Sequence, residues 1–356
     1  MAKRALIGMS GGVDSSAAAV LMRRAGYTCV GATVKLYEAD GTCGTDADVQ
    51  DARAVAEKLG MEHAVFSHTD AFADEVIGRF ITAYEEGRTP NPCIDCNRYV
   101  KFACLYRHAA QLGCDTVATG HYARIERDAA GKYHLLKGKN TDKDQSYVLY
   151  FLTQEQLAHT VFPLGEIASK EEVRQIAAAH GLLNARKHDS QDICFIPDGR
   201  YADFIRARTG KTYPHGNFVD CQGNILGEHK GIIGYTVGQR RGLGLSLPAP
   251  LYVCRKCVER NEVVLAPETA LYSRRLIAEQ MNWIGGEPPV GGFRAAARTR
   301  YSAKEAPATV TPMADGKAEI CFDSPQRAIT IGQAVVLYDG DEVIGGGTIA
   351  QTEESV

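Results

Sequence analysis

The chain has 356 residues, 45% of them hydrophobic, and a formal net charge of −3. That length gives room for two or three domains around a large core, and the charge balance excludes a globally basic nucleic-acid binder. No apolar run approaches the ~20 residues that cross a bilayer, and Met1-Ala2-Lys3-Arg4 leads straight into a strand pattern with no room for a leader, so a cytoplasmic location without a membrane partner is expected.

The first third of the chain alternates strand and helix patterns. Residues 5–8 read as a buried strand, 15–25 as a helix, 28–36 as a strand, 48–59 as a helix, 62–66 as a strand and 70–85 as a helix. A helix over 97–112 carries the apolar stripe Val100, Cys104, Leu105, Ala109 and Leu112, and 115–119 is a further strand. This alternation predicts an α/β fold with a doubly wound parallel sheet. Residues 140–195 are expected to stay largely helical, with Ser169-Lys170-Glu171-Glu172 as a capping box and Gly181 as a stop. Beyond about residue 199, Gly and Pro punctuate short β-branched runs at 231–237, 251–254 and 263–266, the texture of a small β-rich unit. From about 275, apolar and polar residues alternate over 318–322 and 334–338, with glycine turns expected at Gly340 and at 345–347. That pattern predicts a small barrel or sandwich. The predicted domains are 1–198, 199–274 and 275–356.

The strongest motif, Gly8-Met9-Ser10-Gly11-Gly12-Val13-Asp14-Ser15-Ser16, joins the first strand to the first helix. A glycine-rich turn at a helix N-terminus offers unpaired N–H groups and the positive end of the helix dipole to a phosphate. Ser10, Ser15 and Ser16 add hydroxyl donors. The motif is neither a Walker loop nor Gly-x-Gly-x-x-Gly. It resembles the pyrophosphate loop of enzymes that split ATP into AMP and pyrophosphate to activate a carbonyl. Ligands of parallel sheets bind at the carboxyl ends of the strands, which gathers this loop, Val34-Lys35 and Thr119-Gly120-His121 at one edge.

Eleven cysteines without a leader argue against a secreted disulfide framework. Cys29, Cys104, Cys114 and Cys321 sit among apolar neighbours and read as core residues, while Cys43 and Cys221 lie in glycine-containing loops. In Thr89-Pro90-Asn91-Pro92-Cys93-Ile94-Asp95-Cys96-Asn97-Arg98, two prolines predict a rigid, non-helical segment. Asn97 is expected to cap the helix that follows, with Cys96 at its N-terminus near Arg98 and Lys101, which favours a thiolate. The Cys-x-x-Cys spacing supports a redox pair, two metal ligands, or a nucleophile with a helper. Cys254 and Cys257 fall on an apparent strand that sends them to opposite faces, so that second pair reads as incidental. Cys194 follows the polar run Asp189-Ser190-Gln191-Asp192, and residues 140–147 form another polar run ahead of an apolar one. Local basic groups, Arg98, Lys101 and Arg107 in one segment and Arg294, Arg298, Arg300 and Lys304 in another, can hold a phosphate backbone or simply face solvent.

Together with 237–244 and 322–333, these segments occur in the order seen in tRNA-specific 2-thiouridylases, a family the chain resembles over essentially its whole length. The resemblance implies a pyrophosphate-loop ATPase fold, then a small β-rich middle domain and a C-terminal β-barrel. It implies ATP-dependent replacement of the oxygen at carbon 2 of the wobble uridine of tRNA by sulfur, through an adenylated uridine. ATP and Mg2+ would lie at Gly8, Met9, Ser10, Gly11, Gly12, Val13, Asp14 and Ser15, with Val34 and Gly120 lining the nucleotide pocket. Cys194 would carry a persulfide taken from a sulfur-donor or relay protein, and Cys96 would be the second catalytic cysteine. Asn91, Pro92 and Cys93, with Lys143, Asp144 and Gln145, match segments that touch the target base and the anticodon loop. Arg300 and Tyr301 match a tRNA-contacting pair, and His121 and Gln333 match positions used in tRNA recognition.

One departure matters. Many members carry aspartate where this chain has Cys93. Cys93, Cys96 and Cys194 resemble instead the ligands of a 4Fe–4S cluster in related RNA thiolases, whose open iron binds hydrosulfide. A small-molecule ligase with the same ATP loop is the alternative, and it leaves Cys93, Cys96 and Cys194 without a use.

Overall fold

Strand β1 (Arg4–Gly8), buried through Ala5, Leu6 and Ile7, lies in the computed structural model at the centre of a parallel sheet. The structure describes residues 3–37, 45–182, 184 and 193–353. After β1 come α1 (Val13–Arg24), β2 (Thr28–Lys35), α2 (Asp46–Lys58) and β3 (Glu62–Ser67). A long helix follows in three parts, α3 (Thr69–Phe72), a π-helical turn Ala73–Gly78 and α4 (Arg79–Glu85). A second has the same build, with α5 (Pro92–Asp95), a π-helical turn Cys96–Lys101 and α6 (Phe102–Gln111). Strand β4 (Thr116–Ala118) precedes a hairpin of β5 (Ala123–Arg127) and β6 (Tyr133–Lys137), and α7 (Gln154–Ala158) leads into β7 (Thr160–Val161).

The parallel sheet has the order β3-β2-β1-β4-β7. Because strand side chains alternate between faces, Ala5 and Ile7 pack with α1, α2 and α8 (Lys170–Ala179), while Leu6 packs with Leu105 and Ala109 of α6. Helices on both faces are the doubly wound arrangement that the sequence predicts.

Two local expectations need correction. The proline segment is not a non-helical lead-in, because its helix starts at Pro92. Asn91 caps it by accepting from the Cys93 N–H at 3.1 Å, and Pro92 takes the first helical position, where its missing N–H costs nothing. Asn97 lies inside the helix and is buried. The described residues between 140 and 195 are less helical than expected. The apolar run Tyr147–Leu152 is buried on every side, which suits a compact 3-10 turn (Ser146–Leu149) better than a one-faced helix.

Helix α9 (Tyr201–Thr209) leads into a four-stranded sheet of β8 (Gly216–Val219), β9 (Ile225–His229), β10 (Tyr252–Cys257) and β11 (Glu262–Ala266), ordered β10-β11-β8-β9. The β-branched run at 231–237 does not form a strand: Gly231 takes φ +104° and a 3-10 turn Ile232–Gly234 follows. The last six strands are β12 (Tyr272–Trp283), β13 (Phe293–Arg298), β14 (Ala306–Pro312), β15 (Ala318–Arg327), β16 (Ala334–Asp339) and β17 (Glu342–Thr352). Pairing of β12 with both β15 and β17 closes them into a barrel. Glycines 345–347 lie within β17, not in a turn. A Cβ on Gly345 would sit 2.4 Å from the Asn282 carbonyl, and one on Gly346 would sit 2.7 Å from the ring of Tyr150.

The β5–β6 hairpin is joined to this barrel. Glu342 of β17 pairs with Leu136, Lys137 reaches Glu305 at 2.8 Å, and Arg124 reaches Asp341 at 3.0 Å. Ile94, Phe102, Leu135, Val336, Tyr338 and Val343 form one buried cluster across the junction. Among the described residues, no helix is long and apolar enough to cross a membrane.

Candidate functional site

The turn after β1 is shaped by glycine. Gly11 takes φ +70°, and a Cβ there would lie 2.6 Å from the Asp48 carbonyl. Gly12 precedes α1 in an extended conformation, and no side chain caps the helix. An uncapped helix start favours a bound anion. The serine hydroxyls shape the turn: Ser15 and Ser16 donate to the Gly12 carbonyl at 3.1 and 2.9 Å, and the Ser10 N–H donates to Ser15 Oγ at 3.2 Å. Asp14 accepts from Lys170 Nζ at 2.8 Å on both oxygens and from the Tyr122 hydroxyl at 2.7 Å. Its carboxylate therefore holds α8 and the segment after β4 against the loop. Asn184 donates to the Gly11 carbonyl at 3.1 Å and to Ser16 Oγ at 2.7 Å. Lys170 and Asn184 are loop partners that sequence reasoning missed. The only hint is the Ser169 cap that fixes the start of α8, where Ser169 Oγ accepts from the Glu172 N–H at 3.2 Å.

A cavity of about 230 Å³ opens at the carboxyl ends of β1, β2 and β4. Gly8, Met9, Ser10, Asp14 and Ser15 form its floor, Thr33, Val34 and Leu36 one wall, and Lys101, Phe102 and Leu105 another. Gly120, His121 and Gln145 complete it. A Cβ on Gly120 would lie 2.8 Å from the Asp14–Ser15 peptide, so only glycine lets these two loops approach. His121 accepts or donates at Nδ1 to Thr119 Oγ1 at 2.8 Å and stacks on Phe102. Burial, with Lys101 nearby, pushes its imidazole down to about 3, which keeps the ring neutral. Gln145 is fixed by reciprocal bonds with the Tyr122 backbone at 2.9 and 3.0 Å. An anion-favouring loop beside an apolar wall suits a phosphate-bearing planar ligand.

The cysteines divide by position. Cys93 is exposed in the first turn of its helix, so it, and not Cys96, stands nearest the helix N-terminus. Cys96 is one turn on and 5% exposed. Positions three apart are neighbours on a helix surface. Cys194, partly buried, packs in the same apolar cluster as Cys96, with Leu36, Phe72, Val100 and Phe195. Leu36 and Val34 belong both to this cluster and to the cavity wall. The run at 189–192 and Cys43 lie outside the described residues. Cys254 and Cys257 lie on β10 in the other sheet, where burial pushes the Cys254 thiol up to about 11. A wider groove of about 550 Å³ runs between the π-helical turns and the barrel, lined by Glu75, Arg79, Asp95, Arg98, Tyr99 and Gln280 among others. Burial pushes the Asp95 carboxyl up to about 6 against the pull of Arg79 and Arg98.

Several residues expected to face RNA have intramolecular partners. Asp144, 6% exposed, accepts from the Gly138 and Ser146 N–H groups at 3.1 Å and from Ser146 Oγ at 2.8 Å. Arg300 is half-buried and donates to the Val237 carbonyl at 3.3 Å and the Ala328 carbonyl at 2.7 Å. Gln333 donates to the carbonyls of Thr89 and Pro90 at 2.9 and 3.2 Å. Tyr301 keeps 42% of its surface exposed while its hydroxyl donates to the Asp144 carbonyl at 3.2 Å. Asn91 and Lys143 are partly exposed.

Comparison with known proteins agrees over the full length. A family model described as tRNA methyl transferase HUP domain matches residues 3–198, one described as tRNA methyl transferase PRC-barrel domain matches 202–267, and one described as aminomethyltransferase beta-barrel domain matches 273–349. The tRNA-specific 2-thiouridylase MnmA of Clostridioides difficile is 46% identical over 99% of this chain and 99% of its own length. The protein of that name from Acetivibrio thermocellus is 49% identical over 98% of this chain and 99% of its own, and that from Moorella thermoacetica 50% identical over 97% and 98%. The chain belongs to the family of tRNA-specific 2-thiouridylases.

Proposed function

We propose that this protein uses ATP to replace the carbon-2 oxygen of the wobble uridine of tRNA with sulfur. The observation that carries the reading is the shared wall of Leu36 and Val34, with the glycine-rich loop and its cavity on one side and the Cys96–Cys194 cluster on the other. A uracil oxygen is a poor leaving group, and adenylation turns it into AMP. The loop from Gly8 to Ser15 holds the ATP phosphates and Val34 and Gly120 bound the nucleotide; Mg2+ bound with the ATP would offset the phosphate charge. Asp14 is committed to Lys170 and Tyr122, so its part is to order the loop.

Sulfur arrives as a persulfide on Cys194, supplied by a persulfide-bearing donor protein. Its terminal sulfur attacks carbon 2, the carbon–oxygen bond to AMP breaks, and the base is held as a disulfide to Cys194. The Cys96 thiolate then attacks Cys194 Sγ, a Cys96–Cys194 disulfide forms, and the 2-thiouridine leaves with the electron pair. A thiol reductant restores both cysteines. The wobble base must leave its stack to reach them. Asn91, Pro92, Cys93, His121, Lys143, Gln145 and Tyr301 line its route, while Asp144, Arg300 and Gln333 hold that route in shape.

A second reading has one observation in its favour: Cys93 and Cys96 lie one helical turn apart, and Cys194 packs in the cluster that holds Cys96. Together these thiols offer three ligands for a 4Fe–4S cluster, which when bound supplies an open iron for hydrosulfide.

The test is tRNA thiolation with ATP and either a persulfide donor or sulfide, read as 2-thiouridine by mass spectrometry and as AMP release. Cys96→Ser and Cys194→Ser should each abolish product while tRNA binding survives. Pyrophosphate release that needs ammonia or glutamine, and not tRNA, would instead make this a small-molecule ligase.

A further inference from the structure

We propose that His68, Cys104 and His108 form a binding site for a divalent metal of the zinc class, separate from the thiolation cysteines. Cys104 and His108 are four apart on α6 and share a helix face. His68 comes to them from the end of β3, where its N–H donates to the Lys35 carbonyl at 2.9 Å and its own carbonyl accepts from Phe72 at 3.0 Å. One sulfur and two ring nitrogens lie within 4.8 Å of one another, and among the described residues no other trio of His, Cys, Asp or Glu does so.

The geometry suits a tetrahedral ion. The two Nε2 atoms are 3.1 Å apart. Two nitrogens bound at about 2.0–2.1 Å to a tetrahedral zinc stand roughly 3.3 Å from each other. A second layer of support is present. His108 Nδ1 lies 2.7 Å from Gln111 Oε1, an oxygen that can only accept, so the proton is on Nδ1 and Nε2 keeps its lone pair. The ring is also stacked on Phe66, with centroids 3.5 Å apart and planes 7° from parallel. Cys104 is 2% exposed, whereas both histidines are partly exposed, so an ion enters past the imidazoles and a water can complete the fourth position.

Without metal, the two imidazoles meet through one hydrogen bond between their Nε2 atoms. Burial pushes the Cys104 thiol up to about 11 and, with His108 and Arg107, pushes the His68 imidazole down. The Nε2–H of His68 then donates to Nε2 of His108. Metal binding replaces that bond: the Cys104 thiol loses its proton to solvent, the ring proton of His68 moves from Nε2 to Nδ1, and the Cys104 sulfur and the two Nε2 lone pairs bind the ion. The same helix brings Lys101, Phe102 and Leu105 to the nucleotide cavity, so the ion would pin that wall to the end of β3.

The test is Co2+ titration of the full-length, chelator-treated protein without oxygen. A saturable thiolate-to-cobalt charge-transfer band at one Co2+ per chain, with tetrahedral visible bands, is expected. The charge-transfer band should vanish in Cys104→Ser, and tetrahedral binding in His108→Gln. Both should persist when Cys93, Cys96 and Cys194 are all changed to Ser, which separates this site from the thiolation chemistry. Gln111→Ala should weaken binding about 10–100-fold by freeing the His108 ring. If Cys104→Ser does not fold, loss of the bands in His108→Gln carries the result. No saturable band in the unsubstituted protein, or a band that survives both substitutions, would leave only a histidine–histidine hydrogen bond and overturn the proposal.

Discussion

The side-chain amide of Gln333, just ahead of β16, donates to the backbone carbonyl of Thr89, 2.9 Å away and far off in sequence. The Thr89 N–H donates in turn to the Ile331 carbonyl at 2.9 Å. The barrel thus grips the segment that carries Cys93 and Cys96. Gln333→Ala should destabilise the protein by about 1–2 kcal/mol by leaving two carbonyls short of a donor. It should also speed hydrogen exchange across residues 89–96 and lower the thiolation rate. Unchanged exchange in that segment would show that the grip is not needed to hold it.

Gly120→Ala places a Cβ 2.8 Å from the Asp14–Ser15 peptide. The loop after β4 must then move off the phosphate loop. Overpacking of this kind costs about 1–3 kcal/mol. ATP affinity measured by calorimetry should fall at least about tenfold, the equivalent of ~1.4 kcal/mol, while circular dichroism stays unchanged. Normal affinity would mean that the two loops need not touch.

Asp95 gives a pH signature. Burial raises its carboxyl to about 6, so the folded chain keeps a proton that the unfolded chain releases at lower pH. The folded state binds more protons in that window, and stability from this group is full below the ordinary carboxylate range and is lost as pH rises to about 6. Asp95→Asn should therefore stabilise the protein at pH 7 by at most about 3 kcal/mol and change little near pH 4. Urea unfolding at several pH values reads this directly, and an equal effect at both ends would contradict a raised carboxyl.

Cys93→Ser separates the two sulfur routes. On the persulfide route Cys93 forms no bond to sulfur, so thiolation from a persulfide donor should stay within a few-fold of the unsubstituted protein. Loss of product together with loss of iron from anaerobically purified protein would favour the cluster.

Much of the catalytic half is legible in sequence because its signals are local. Buried strands and helices alternate, and the glycines and serines of residues 8–16 fall in a single turn. Pro92 misleads because proline both interrupts helices and starts them, and only the Asn91 cap decides which. Glycines 345–347 mislead in the same way: they give room to Tyr150 and Asn282, both distant in sequence. Asp14 with Lys170, Asn184 with the loop, and His68 with His108 are pairings that no local pattern announces, because the fold alone brings them together. Arg300 and Gln333 stand out as polar residues in the sequence, yet Arg300 donates to the Ala328 carbonyl and the Thr330 hydroxyl and Gln333 to the Thr89 carbonyl, all in other segments.

The hairpin stitched onto the barrel bears on how a large substrate is accommodated. Rotating the nucleotide-binding sheet against the barrel would tear Leu136 from Glu342, separate Lys137 from Glu305, and open a dry interior spanning both. Jaw-like closure is therefore an expensive motion for these two parts. On the proposed function, adjustment would then fall to the nucleic acid, whose loop would splay to present its base to a frame already set.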